Sequence, residues 1–366
     1  KQKTAYEIHE RLVGSEMCIR DRVYTMVRSM ISKFILGLCL IQFPVSNLQA
    51  EQATPPTKPA KGYGSGANYL CEEDCGDRIT KYKQASPKRV SYWIPKKLKN
   101  GDTAPVVVFL HGFFAVVPEI YEAHIDHLVK QGYIVIFPQF QGALWNLVSD
   151  LGLFKKADHN KWLKQAIDST DEVLTEIGDK ANRKEIFGYG HSIGGLLFLG
   201  WDKRGGAPLK GMVLANPKVD MSKGMPKIVR KIVKIKELPW KDLADGANGK
   251  VIILNGDKDE ISTPKKSNEI LDHLVNAESV TSYVARSHSH GEISLEADHL
   301  SPMTNGGILE SLSKLMESMG GSIETNAYDH RYYFAYLDAL LDGHSEYSAE
   351  MGHWSDGTPF NSPLRK

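Results

Sequence analysis

Apolar and polar positions along this chain fall into blocks with two different periods. Residues 89–94 (Arg-Val-Ser-Tyr-Trp-Ile) alternate and predict an early strand. Residues 105–110 are a continuous run rich in β-branched side chains, the pattern of a strand buried on both faces. Shorter runs of the same kind recur at 133–137, 211–215 and 251–254, and 280–285 reads as a last strand. Between them lie helical patterns at 119–131, 161–177, 264–275 and 327–341. In 161–177, Leu163, Ile167, Val173, Leu174 and Ile177 share roughly one face. Buried strands alternating with helices predict an α/β fold, a doubly wound and mostly parallel sheet covered on both faces. Ligands of such sheets bind at the carboxyl ends of the strands.

One such strand, 185–189, runs into Gly190-His191-Ser192-Ile193-Gly194 and then into the apolar stretch 195–199. Strand, G-x-S-x-G and helix together predict a nucleophile elbow, with Ser192 at the apex of a sharp turn. Its glycines let strand and helix backbones pass closely. The helix beneath would present free N–H groups and a positive dipole end to a developing oxyanion. A dinucleotide-binding loop starting at Gly188 would need glycine where Ile193 stands.

Composition narrows the partners. With 42% hydrophobic and 24% charged residues and a formal net charge of +1, the 366-residue chain is an ordinary globular sequence, with no global argument for nucleic acid or an anionic membrane. The amino-terminal region divides into pieces. Residues 26–50 have the order of a signal peptide: a basic start, an apolar stretch at 34–45, and a small residue, Ala50, at the end. That stretch is shorter than the ~20 residues a spanning helix needs. Residues 1–25 precede this start and read as translated adapter sequence rather than native protein. Residues 51–80, rich in Pro and Gly, predict a flexible linker carrying Cys71 and Cys75, with 81–366 as a single domain. In an oxidising compartment the two cysteines predict a small disulfide loop, with free thiols or half a metal site as alternatives.

With elbow, strand order and a His111-Gly112-Phe113-Phe114 loop after the 105–110 strand, the chain resembles the α/β-hydrolase family, in particular secreted lipases, cutinase-like polyester hydrolases and dienelactone-hydrolase-like serine esterases. The resemblance covers about residues 88–345. It implies the chain order nucleophile, acid, histidine. Ser192 is the implied nucleophile. The family's Gly-x-x-Asp pattern selects Asp259, ahead of its neighbour Asp257 and of Asp220 after the preceding strand. The loop Ala297-Asp298-His299-Leu300-Ser301-Pro302 resembles the family's histidine loop and selects His299, with His288 and His290 as alternatives. Ile193 and Phe113 would supply the oxyanion N–H donors.

The resemblance implies carboxylic-ester hydrolysis through an acyl-serine intermediate, without cofactor or metal, on a small-molecule or lipid ester, by a secreted or periplasmic enzyme. A His288/His290 zinc site is a minor alternative, and His124 and His127 read as helix-surface residues. A serine peptidase of the same fold, or an inactive fold used for binding, are the rival functions. The segment from Lys223 to Trp240 is amphipathic and cationic, fitting a core-packing helix, a cap, or a weak lipid contact. The stretch 140–154 offers apolar side chains for an acyl pocket. Acyl-chain length and oligomeric state are not fixed by the sequence.

Overall fold

The β-branched runs form the centre of a sheet whose residues point alternately into two cores. The computed structural model describes residues 52–82, 89–113, 115–141, 157–220, 235–305 and 323–366. The predicted adapter-derived segment, the signal peptide, most of the 140–154 insertion and most of the Lys223–Trp240 segment lie outside these residues.

The strands are β1 (Arg78–Tyr82), β2 (Arg89–Trp93), β3 (Ala104–Leu110), β4 (Ile134–Gln139), β5 (Ala157–Asp158), β6 (Ala181–His191), β7 (Gly211–Ala215), β8 (Ile235–Lys236), β9 (Lys250–Gly256), β10 (Ser279–Ala285), β11 (His288–His290), β12 (Ile293–Leu295) and β13 (Leu364–Arg365). Nine of them make one sheet in the order β1-β2-β4-β3-β6-β7-β9-β10-β13. From β4 to β10 neighbouring strands are parallel. β1, β2 and β13 join antiparallel at the edges. The expected doubly wound, mostly parallel sheet is therefore present.

Period-2 geometry explains why the central strands carry no polar face. In β3, Val107 and Phe109 enter one core while Val106, Val108 and Leu110 enter the other. All seven residues of β3 are buried. The first core is closed by α1 (Glu122–Lys130) and by a wide π-type turn, Asp329–Phe334, that continues into α5 (Ala335–Leu341). The second is closed by α2 (His159–Ile177) and α3 (Ile193–Phe198). Asp158 caps α2, its carboxylate accepting from the N–H groups of Asn160 (3.0 Å) and Lys161 (3.4 Å), and Gly178 ends it at φ 61°.

Three expectations change. The helix expected at 264–275 holds α-geometry only over α4 (Pro264–Ser267), then tightens into a 3₁₀ turn, Asn268–His273. His124 and His127 are buried rather than on a helix surface. His124 stacks on Phe334 at 4.2 Å between ring centres, and Nε2 of His127 donates to Asp338 at 2.9 Å. The described part of 51–80 is not a free linker: residues from Gln52 to Lys366 group as one unit. Thr54 and Ser355 exchange two hydrogen bonds, Arg331 donates to the Thr57 carbonyl, and the Gly64 N–H donates to buried Asp338 at 2.7 Å. Backbone bonds of this kind hold a Pro- and Gly-rich strap that composition alone describes as loose. Within it, Cys71 and Cys75 are disulfide-bonded, their Cα atoms 5.5 Å apart.

Candidate active site

Strand β6 ends at His191 and α3 begins at Ile193, leaving Ser192 as the entire turn. Its backbone sits at φ 55°, ψ −114°, a region that non-glycine residues rarely adopt. Three backbone bonds over-determine it. The Ser192 N–H donates to Ala215 (2.9 Å), and its carbonyl accepts from Leu196 (3.2 Å) and Lys218 (3.0 Å). The surrounding glycines are there because nothing larger fits. A Cβ on Gly190 would fall 2.7 Å from the backbone of Gly194 and Gly195, and one on Gly194 would collide with the Leu110 carbonyl.

The structure brings Ser192, His299 and Asp259 together. Ser192 Oγ lies 2.9 Å from His299 Nε2, and His299 Nδ1 lies 2.8 Å from Asp259 Oδ2. All three are buried: 4%, 6% and 2% exposed, low enough to strengthen these bonds relative to water. Asp259 leaves β9 through Gly256. Its other oxygen, Oδ1, accepts from the N–H groups of Ile261 (2.9 Å) and Ser262 (2.6 Å), so its orientation is fixed before His299 arrives. A Cβ on Gly256 would run into the Ala297 carbonyl, so this glycine lets the acid strand and the histidine loop touch.

The alternatives point elsewhere. Asp257 is exposed and accepts from Ser287 N–H and Oγ. Asp220 lies near Glu237, whose carboxyl is raised first by burial and then by Asp220. His288 Nδ1 accepts from the Asn361 N–H and its ring stacks on Phe360, while His290 pairs with Asp356 at 2.7 Å. Among the described residues no group of three or more His, Cys, Asp and Glu is arranged to hold a metal.

Phe113 follows β3 in the His111-Gly112 loop, and Ile193, the residue after Ser192, is the first residue of α3. Burial pushes His111 down to about 4, and its ring lies flat on Phe140 with centres 3.9 Å apart. Trp162 stands within 6.0 Å of Phe113 and 6.2 Å of Phe140, centre to centre, giving this side an aromatic wall.

Two residues that the sequence pattern does not single out tie the loops around Ser192 together. Asn216, at φ 48° just past β7, donates from Nδ2 to the carbonyls of Asp298 (2.8 Å) and His299 (3.3 Å). Tyr121 joins the His111-Gly112 loop to His191. An asparagine immediately after a buried strand, where left-handed backbone is common for this residue type, is the one local signal for Asn216.

A family profile described as serine aminopeptidase, S33, matches residues 101–251, from just before β3 to the start of β9. With this mostly parallel sheet and this elbow, the chain has an α/β-hydrolase fold. No curated protein sequence matches it. Solved structures similar to it include Est1E from Butyrivibrio proteoclasticus, at 16% identity, TM-score 0.41, covering 66% of this chain and 98% of that one. Another is the carboxylesterase Cest-2923 from Lactobacillus plantarum, at 15% identity, TM-score 0.43, with 56% and 82% covered. A third is an acylaminoacyl peptidase from Pyrococcus horikoshii, at 13% identity, TM-score 0.45, with 74% and 42% covered. Likeness of this degree carries no argument about substrate.

Proposed function

We propose that the protein is a serine hydrolase of carboxylic esters acting through an acyl-serine intermediate. The observation that carries this is the unbroken line Ser192 Oγ, His299 Nε2, His299 Nδ1, Asp259 Oδ2, with bonds of 2.9 and 2.8 Å. A serine hydroxyl is a weak nucleophile until a neutral imidazole removes its proton. In this reading Ser192 Oγ attacks the ester carbonyl while His299 Nε2 takes the hydroxyl proton. Asp259 holds the Nδ1–H tautomer and stabilises the imidazolium. The N–H groups of Ile193 and Phe113 meet the tetrahedral oxyanion. Collapse breaks the ester C–O bond, and His299 returns its proton to the departing alcohol. Water then repeats the sequence on the acyl-serine and releases the acid. No cofactor enters.

The aromatic wall of Phe113, Phe140 and Trp162 supports an apolar acyl or aryl group on the substrate. The Cys71–Cys75 bond supports an oxidising, secreted or periplasmic location. Among the described residues no helix is long and apolar enough to cross a membrane. The profile's description as a serine aminopeptidase favours a second reading, a peptidase using the same acyl-serine chemistry.

A panel of p-nitrophenyl esters from acetate to palmitate, alongside aminoacyl p-nitroanilides, separates the two. Ester turnover that vanishes in Ser192→Ala is the expected result. Anilides turned over faster than every ester would move the assignment to a peptidase. A parent protein that neither turns over esters nor reacts with a fluorophosphonate label would identify an inactive fold used for binding.

A further inference from the structure

We infer that Tyr121 and His191 act as a positioning pair that fixes the oxyanion loop and the histidine loop relative to one another, an inference that rests on the proposed acyl-serine function. The Gly112 N–H donates to Tyr121 Oη at 2.9 Å, and Tyr121 Oη lies 2.8 Å from His191 Nδ1. His191 Nε2 lies 2.9 Å from the carbonyl of His299. Three short bonds thus run from the backbone beside Phe113 to the backbone of the proposed base.

The chemistry of the two ends determines every proton in between. A backbone N–H can only donate, so Tyr121 Oη accepts from Gly112 and its own proton turns to His191 Nδ1. A backbone carbonyl can only accept, so His191 Nε2 carries the ring proton and Nδ1 is bare. The line is consistent in one direction only. Tyr121 and His191 are 0% and 1% exposed, which keeps water from substituting for any link. Burial, followed by the nearby His299, holds the His191 imidazole well below its usual titration range, so it stays neutral.

Space at this junction is fully used. A Cβ on Gly112 would fall 2.8 Å from His191 Nδ1 and 3.3 Å from Tyr121 Oη. His191 also immediately precedes the nucleophile, so the same imidazole is covalently tied to Ser192 and hydrogen-bonded to His299 from behind. Asn216 Nδ2 donates to the same His299 carbonyl at 3.3 Å. The hydrogen bonds of Tyr121 and His191 go to Gly112, to each other and to the His299 carbonyl rather than to Ser192 Oγ or the His299 ring. They act through the loops they join.

Loss of the tyrosine hydroxyl leaves the Gly112 N–H unpaired and frees His191 to take the other tautomer, which cannot donate to His299. Tyr121→Phe should therefore lower kcat for p-nitrophenyl butyrate by ~10–10²-fold with KM nearly unchanged, the scale expected for misplaced reacting groups. His191→Leu should match it. His191→Gln, whose amide offers an acceptor and a donor a similar distance apart, should recover much of the loss. The double variant Tyr121→Phe, His191→Leu should be no slower than the worse single variant, because members of one unit are not additive.

A folded Tyr121→Phe enzyme within about twofold of the parent kcat, far from the effect expected of displaced groups, would overturn the pairing. Equal activities of His191→Leu and His191→Gln would do the same, as would losses that multiply in the double variant. If Tyr121→Phe does not fold, the comparison of leucine with glutamine at 191 decides alone. Ser192→Ala, run beside them, keeps the two ideas apart. Turnover that survives it sinks the acyl-serine function, whereas Ser192-dependent turnover that ignores Tyr121 and His191 sinks only the pairing.

Discussion

The Asp259 carboxylate and the His299 imidazole meet at 2.8 Å, and the other oxygen of that carboxylate is already committed to two backbone N–H groups. Asp259 therefore cannot swing away without stranding the amides of Ile261 and Ser262, and His299 Nδ1 has one fixed acceptor.

This geometry predicts a tautomer effect. Asp259→Asn keeps the shape but presents an amide in place of the acceptor. It should lower kcat by ~10⁴-fold, as a wrong-tautomer change does in an analogous triad. Near-parental kcat values in the asparagine variant would show that Asp259 does not orient the base.

The histidines separate by single substitutions. His299→Ala should lose turnover about as fully as Ser192→Ala, since members of such a unit fail together. His288→Ala and His290→Ala should leave kcat close to the parent, because those rings face Phe360 and Asp356. Activity that tracks either of them, with His299→Ala unimpaired, would overturn the assignment.

Gly256→Ala tests the contact between the acid strand and the histidine loop. The added methyl would have to displace the Ala297 carbonyl, at a cost typical of overpacking, ~1–3 kcal/mol. Thermal melting and kcat should fall together, because the displaced loop carries His299. A variant that loses stability but keeps full activity would show that the two are uncoupled.

Asp298 carries a pH signature. Burial raises its carboxyl to about 6, although the Leu300 and Ser301 N–H groups pull the other way. A raised carboxyl binds its proton more tightly in the folded state, so the cost of ionising it is absent at low pH. That cost grows as pH rises from about 4 to about 6, by ~1.4 kcal/mol for each step of one in pH. Asp298→Asn, which can still accept the same backbone bonds, should flatten the decline in denaturant stability across that window. An unchanged pH profile would remove Asp298 from the explanation.

Reduction tests the strap. The five-residue Cys71–Cys75 loop is so short that its chain-entropy contribution is ~2 kcal/mol. Alkylation of native protein before and after reduction, read by intact mass, should find both thiols blocked until reduction. Two alkylated thiols in the unreduced protein would contradict the bond, and a fall in stability much beyond that figure would mean the loop also organises its neighbours.

Local pattern reveals what depends on local pattern. The runs within β3, β4, β7, β9 and β10 are legible because burial on both faces keeps them mostly apolar. The elbow is legible because its glycines and serine are consecutive. The interior of α1 reads wrongly as surface because the partner of His127 is 211 positions away, and no helical wheel displays Asp338. The three-residue strands β11 and β12 and the two-residue strand β13 are too short to show a period. Tyr121 escapes a reading of the sequence for the reason His127 does: its role is defined by Gly112 and His191, and nothing in its own neighbourhood marks it.

Ser192 and Asn216 end adjacent strands in positive-φ backbone, each at an expected cost of ~1–3 kcal/mol. A laboratory evolution campaign that selected this protein only for heat resistance would find Ser192 an attractive target, whereas glycine at 216 would also give up the buried bonds to Asp298 and His299. Glycine accepts positive-φ backbone freely, so Ser192→Gly would relieve the torsional cost and discard the hydroxyl on which turnover is proposed to depend. Selection on stability alone would thus tend to disarm the molecule. A screen that aims to harden it must score turnover in the same round.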